Sequence, residues 1–234
     1  MIKVSTVDRP VEVHGVHGAA GVTSWTCFSR RAGLDGDWEA IEWASVPVGG
    51  VSGEHRHTRT EEIYFILSGQ AEVRLDGRPY VLGPGGLVLT CVGSTHALHN
   101  VGTSPVDWLV IEMLSPDTVA AVRARDVSDR RTGMGSKVVN LAELGQFDPR
   151  EVFAGPLENI ALRSLADGET LDLAAHGREH TLFVIEGSGH AKSGSTEVSL
   201  AAGTSVTLPL GTELTVLAGQ PGLKIFLATM AVRP

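Results

Sequence analysis

The sequence predicts an all-β chain: two antiparallel barrels joined by a short helical linker. Three observations predict it. Apolar residues come in short runs, several alternating with polar ones, and Gly, Pro and Asp turns separate them, which is strand rather than helix patterning. A single stretch, PDTVAAVRAR from Pro116 to Arg125, reads as a helix with proline near its start. The second half also repeats the first at a constant offset. Gly69 and Gly187, Gly85 and Gly203, and Gly93 and Gly211 are each 118 positions apart, and the same shift lays YFILSG on LFVIEG.

Taken in order, the chain opens with a segment to about Gly18 containing His14 and His17 in VHGVHG. That spacing suggests a ligand pair, but the segment is read as a flexible terminal arm. VTSWTCFS is the first core strand, Leu34–Asp37 a turn, and WEAIEWASVPV the next strand. After Gly69, QAEVRL alternates as a half-buried strand, Asp76-Gly77 turns it, and RPYVL returns. Asp107–Leu114 closes the first barrel. The expected organisation is therefore an N-terminal barrel with its arm over 1–114, a linker over 115–138, its charged Asp126–Val138 part connecting the halves, and a C-terminal barrel over 139–234.

Between these strands lies the chemistry. In GGVSGEHRHTRTEEIYFILSG, Gly49–Gly69, His55 and His57 share one face of an extended strand. EEIYFIL then forms a strand that lays Glu62 beside them. GGLVLTCVGSTHALHN, from Gly85, adds His96 on a further strand, with Asn100 beyond. Three imidazoles and one carboxylate converging in a barrel suit a divalent transition metal. The opposite parity of His99 sets it outside this group.

The two stretches resemble the signature motifs of the cupin superfamily. Gly49, His55, His57, Glu62 and Gly69 match the first motif completely. Gly85, Gly93, His96 and Asn100 match the second, where Cys91 replaces the family's proline. The resemblance implies two double-stranded β-helix (jelly-roll) barrels, hence a bicupin, and His55, His57, Glu62 and His96 as ligands of one ion. Family members use iron, manganese, nickel, copper, cobalt or zinc. In the second copy the ligand positions become Leu173, Ala175, His180 and Leu214, so one metal site is expected and the second barrel is structural. His176 and His180 are read as polar barrel residues.

The resemblance to quercetin-dioxygenase-like cupins implies a metal-dependent oxygenase acting on a small organic metabolite, with Glu62 able to act as a base. A non-redox isomerase or polyketide-type cyclase is the second reading, and a non-catalytic binding or sensing cupin the third. Parity places Tyr64 and Ile66 on the Glu62 face and Leu98 on the His96 face, with Trp108 a further lining residue. Glu62 and Tyr64 are the expected catalytic residues. Tyr64, Ile66, Leu98 and Trp108 are the expected substrate walls, apolar and aromatic, suited to a planar or hydrophobic molecule.

The remaining expectations come from composition. With 42% hydrophobic and 20% charged residues the chain reads as soluble and globular, and no run approaches a membrane span. The N-terminus lacks a signal-peptide core, so a cytoplasmic location is expected, and Cys27 and Cys91 read as buried thiols. A formal charge of −8 without a basic run argues against nucleic acid or an anionic membrane as partner. A small-molecule substrate and a homodimeric assembly are the partners expected.

Overall fold

The computed structural model describes residues 1–123 and 133–232. Its strands are β1 (Lys3–Thr6), β2 (Val11–His14), β3 (Val22–Arg30), β4 (Trp38–Val46), β5 (Val51–Arg56), β6 (Thr60–Ser68), β7 (Ala71–Leu75), β8 (Arg78–Leu82), β9 (Gly86–Thr90), β10 (Thr95–Asn100) and β11 (Val106–Leu114) in the first half. After helix α1 (Pro116–Arg123) come β12 (Lys137–Asn140), the one-turn helix α2 (Leu141–Leu144), β13 (Gln146–Phe147), β14 (Leu157–Leu165), β15 (Thr170–Ala174), β16 (Arg178–Ser193), β17 (Thr196–Ala201), β18 (Thr204–Leu208) and β19 (Glu213–Ala231). All the pairings described are antiparallel, and the molecule is two barrels. Of the expected connection over Asp126–Val138, residues 126–132 lie outside the described residues.

The glycines that revealed the repeat have a common backbone reason. Gly69 and Gly187 have φ of 77° and 88°, Gly85 and Gly203 92° and 88°, and Gly93 and Gly211 93° and 79°. These left-handed turns recur at matching strand ends, where a side chain would be strained.

The sheets also exchange strands across the expected boundaries. β1, from the N-terminal arm, pairs with β18 of the second barrel, Lys3 opposite Thr207. β12 pairs with β9 of the first barrel, Lys137 opposite Leu89. Each barrel thus receives one strand from the segment preceding the other.

Strand parity divides the core into three parts. On β6, Tyr64 and Ile66 point into the first barrel with Val73, Leu98 and Trp108. Ile63 and Phe65 point the other way, into a core shared by both barrels. There Phe65 lies 4.8 Å from Phe226 and Phe28 lies 5.7 Å from Phe183, ring centre to ring centre. Burial on both faces explains why EEIYFIL is almost continuously apolar. Inside the second barrel Leu173, Ala175 and Leu214, at the positions of His55, His57 and His96, are buried among Leu182, Val184 and Leu227. His180 is satisfied locally, with Nδ1 3.0 Å from Thr229 Oγ1 and Nε2 3.2 Å from the Ala174 carbonyl. His176 is exposed and sits 3.7 Å from Glu213. Among the described residues no helix is long and apolar enough to cross a membrane.

Candidate metal centre and adjoining cavity

Three neighbouring elements of the first barrel deliver the four side chains. His55 on β5 and His96 on β10 are directly opposite in the strand register. His57 follows β5, its amide held by the Ser94 carbonyl at 2.9 Å. Glu62 is on β6, opposite Thr90 of β9 on one side and Glu112 of β11 on the other. The ligand atoms of all four lie within 4.8 Å of one another.

Their outer atoms explain the orientation of the inner ones. His55 Nδ1 donates to the Gly53 carbonyl at 3.1 Å, which leaves Nε2 as a lone pair. Thr60 Oγ1 donates to Glu112 Oε1 at 2.6 Å, so it can only accept from His57 Nδ1, 3.4 Å away. His96 Nδ1 lies 2.8 Å from Thr90 Oγ1. The Nε2 atoms therefore converge: His96 is 3.1 Å from His55 and 3.2 Å from His57. Glu62 Oε2 is 3.0 Å from His96 Nε2 and 3.3 Å from His57 Nε2, buried and without a geometrically sound hydrogen bond. Lone pairs and a carboxylate oxygen this close repel unless a cation sits between them. The donor set, with its outer hydrogen bonds, fits a divalent transition metal.

Acid–base behaviour agrees with that fit. Burial, then the neighbouring His96, lowers His55 to about 4, so its nitrogen is free of a proton at neutral pH. Burial alone would lift the Glu62 carboxyl, but the close imidazoles of His57 and His96 outweigh it and hold Glu62 below the usual carboxylate range. Burial would likewise lower His57, yet Glu62 outweighs it and raises that imidazole. Protons and a metal ion compete for the same negative focus.

Beside the ligands lies a cavity of about 380 Å³ reached by Glu62, Tyr64 and Trp108, with Trp25, Ala44 and Val110 completing its apolar wall. Ile66 and Leu98 are fully buried deeper in the same barrel and do not line it. Burial raises the Tyr64 phenol well above its ordinary value, so it stays protonated. Sequence reasoning did not assign five polar residues to this cavity: His17, Thr23, Arg30, Glu42 and Ser52. Arg30 meets Glu42 at 2.8 Å, Glu42 accepts from Trp25 Nε1 at 2.9 Å, and His17 comes from the N-terminal arm. Burial raises the Glu42 carboxyl. Its signal was a lone glutamate on the same strand face as Ala44 and Val46. A larger groove of about 750 Å³, along Lys137, Asn140 and Glu158, is remote from the ligand set and open to solvent.

Known proteins share the fold around this site. Residues 42–112 match the family model described as the cupin domain, and that span contains all four ligands. The first barrel is a cupin domain.

Among curated proteins, the oxalate-binding protein of Thermotoga maritima is 22% identical over 114 residues, 49% of this chain and 94% of that one. Solved structures share the fold of the whole chain. Ylba from E. coli superposes with a TM-score of 0.77 at 14% identity, over 100% of this chain and 92% of that one. Bacterial pirin YhhW from Escherichia coli, in complex with nickel(II), gives 0.71 at 13% identity over 100% of both. A point mutant of salicylate 1,2-dioxygenase from Pseudoaminobacter salicylatoxidans, in complex with gentisate, gives 0.62 at 14% identity, over 84% of this chain and 70% of that one. Residues 42–112 are thus a cupin domain carrying a candidate metal-binding group, and the whole chain shares its fold with these structures, a dioxygenase among them.

Proposed function

We propose that this cupin is a metal-dependent oxygenase acting on a small, largely apolar or aromatic molecule bound in the cavity beside Glu62. The observation that carries the reading is the continuity of the ligand set with an aromatic-walled space of about 380 Å³, the size of a small organic substrate. When bound, a divalent metal with four protein ligands supplies open coordination positions for Lewis-acid or oxygen chemistry.

The protein's own residues set up the rest. Tyr64, Trp25 and Trp108 hold a flat substrate against the metal centre and keep water away from it. Ile66 and Leu98 support those walls from behind. The protonated Tyr64 phenol is a hydrogen-bond donor, not a base. Glu62 is a ligand and, if it loosens, a base. Glu42, whose carboxyl burial favours protonated, is placed on the wall to exchange a proton with a bound molecule. The gentisate-bound salicylate dioxygenase supports the choice of an aromatic substrate, as an analogy of fold.

The test is a screen of aromatic and apolar metabolites against protein loaded separately with iron, manganese, nickel and copper, recording oxygen uptake and product mass. Turnover with incorporated oxygen supports the proposal. Equal turnover under anaerobic conditions, with no oxygen gained, replaces it with the isomerase or cyclase reading. Tight binding without turnover replaces it with the binding-protein reading.

A further inference from the structure

We propose that His17, on the N-terminal arm, is a positioning residue for the metal ligand His55. The inference rests on the reading of His55, His57, Glu62 and His96 as a metal centre. It starts from an asymmetry among the three imidazoles. His57 and His96 are buried, and each has a threonine hydroxyl at its outer nitrogen. His55 is only half-buried, and its outer nitrogen meets nothing but the Gly53 carbonyl of its own strand. A single bond to a carbonyl two residues away fixes the tautomer but leaves the ring plane poorly held.

The missing constraint comes from outside the barrel. The His17 ring lies flat on the His55 ring, centroids 3.5 Å apart and planes inclined by 11°. Stacking of two flat rings restricts rotation about the bonds that would swing His55 Nε2 away from the ion. The arm is organised to deliver this contact. β2 pairs with β3, and the following turn at Val16–Gly18 lies over β5. His17 itself takes a left-handed conformation, φ 51°, uncommon for a residue with a side chain and held by its surroundings.

The underlying strand is shaped to receive the turn. A Cβ at Gly53 would collide with the His17 carbonyl oxygen and come within 3.2 Å of the Ala19 amide. Only glycine lets the turn lie this close. One residue therefore seats the arm and, through its carbonyl, holds the outer nitrogen of His55.

The experiment uses full-length protein with cobalt(II) as the probe. Affinity is read by chelator competition and ligand geometry by the visible absorption spectrum, with His57→Ala as the control for the site. If neither wild type nor control binds cobalt specifically, the metal-centre reading itself fails. If wild type binds and the control does not, His17→Ala is expected to weaken binding by about 10- to 100-fold, the usual effect of losing an outer partner of a ligand, and to change the spectrum. His17→Phe, which keeps a flat ring but cannot coordinate, is expected to restore most of both. Wild-type affinity and spectrum in His17→Ala overturn the inference. So does a His17→Phe variant as weak as His17→Ala, which would make His17 a direct ligand. Gly53→Ala tests the seating: its loss should largely vanish in the His17→Ala background, and additive losses overturn the role assigned to the arm.

Discussion

At the scale of single residues, the metal centre depends on the ligands and on what aims them. Replacing His57 by alanine removes a ligand and leaves Glu62 buried beside one imidazole fewer, so metal content per chain, measured by elemental analysis after dialysis, should fall to a small fraction of wild type. Thr90→Val is subtler. It removes the hydroxyl 2.8 Å from His96 Nδ1 while nearly preserving volume, and it should weaken metal affinity by about 10- to 100-fold with the fold unchanged. In the second barrel a different histidine sets a pH limit. Burial lowers His180, whose two nitrogens already have partners in the neutral ring. The unfolded chain takes up that proton near pH 6.5 and the folded chain only below it, so His180's contribution is fully present above about 6.5 and is lost as pH falls further. Denaturant unfolding of wild type and His180→Gln between pH 7.5 and 5 should therefore show the wild type losing more stability on acidification. Equal losses would exclude His180 as the cause.

At the scale of elements, legibility follows the range of the signal. The ligand set was readable because His55, His57 and Glu62 fall within eight consecutive residues and strand parity alone decides which side they face. The repeat was readable because left-handed turns demand glycine at fixed places. Gly69→Ala and Gly187→Ala should each cost more than about 1 kcal/mol in urea unfolding, since the strained φ is joined by a collision of the new Cβ with the Pro105 or Gly222 carbonyl. Other features depend on distant partners. KVST and KVVN are four-residue strands, and nothing within them says that β1 joins the second barrel and β12 the first. Parity put Ile66 and Leu98 on the ligand faces but carries no depth. Two residues along a strand cover about 6.6 Å, enough to move a side chain from the cavity into the core behind it. Arg30 and Glu42 are 12 positions apart on neighbouring strands, and only the barrel brings them together at the cavity. The local pattern of His17, its spacing from His14, does not point to its partner, which is 38 positions away.

At the scale of the whole molecule, the two barrels are tied by a pair of buried carboxylates that the duplication placed 118 residues apart. Glu61, in the first barrel, accepts from the Ala154 and Gly155 amides at 2.7 and 2.8 Å, on the segment leading into β14. Glu179, in the second, accepts from the Asp35 and Gly36 amides at 3.0 Å and from Trp38 Nε1 at 2.9 Å, on the segment leading into β4, and from the Leu210 amide at 3.0 Å. Each carboxylate reaches across to the other barrel, and both are almost inaccessible to water. Bonds from neutral donors to a charged acceptor compensate its desolvation only while all are in place. Glu179→Ala strands four donors, three of them in the other barrel, and should lower stability by about 3 kcal/mol or more, read from the denaturation midpoint. Glu61 has only two donors, and burial raises its carboxyl above the ordinary value of 4.5. Over the window above that value the folded chain holds a proton that the unfolded chain has released, so Glu61's contribution is largest at acid pH and shrinks as pH rises. Glu61→Gln, a mimic of the protonated form, should accordingly cost most near pH 4.5 to 5 and less at pH 7.5. Unfolding of the variant and wild type across that range decides it, and a cost that grows with pH would mean that the two amides hold Glu61 as a carboxylate after all.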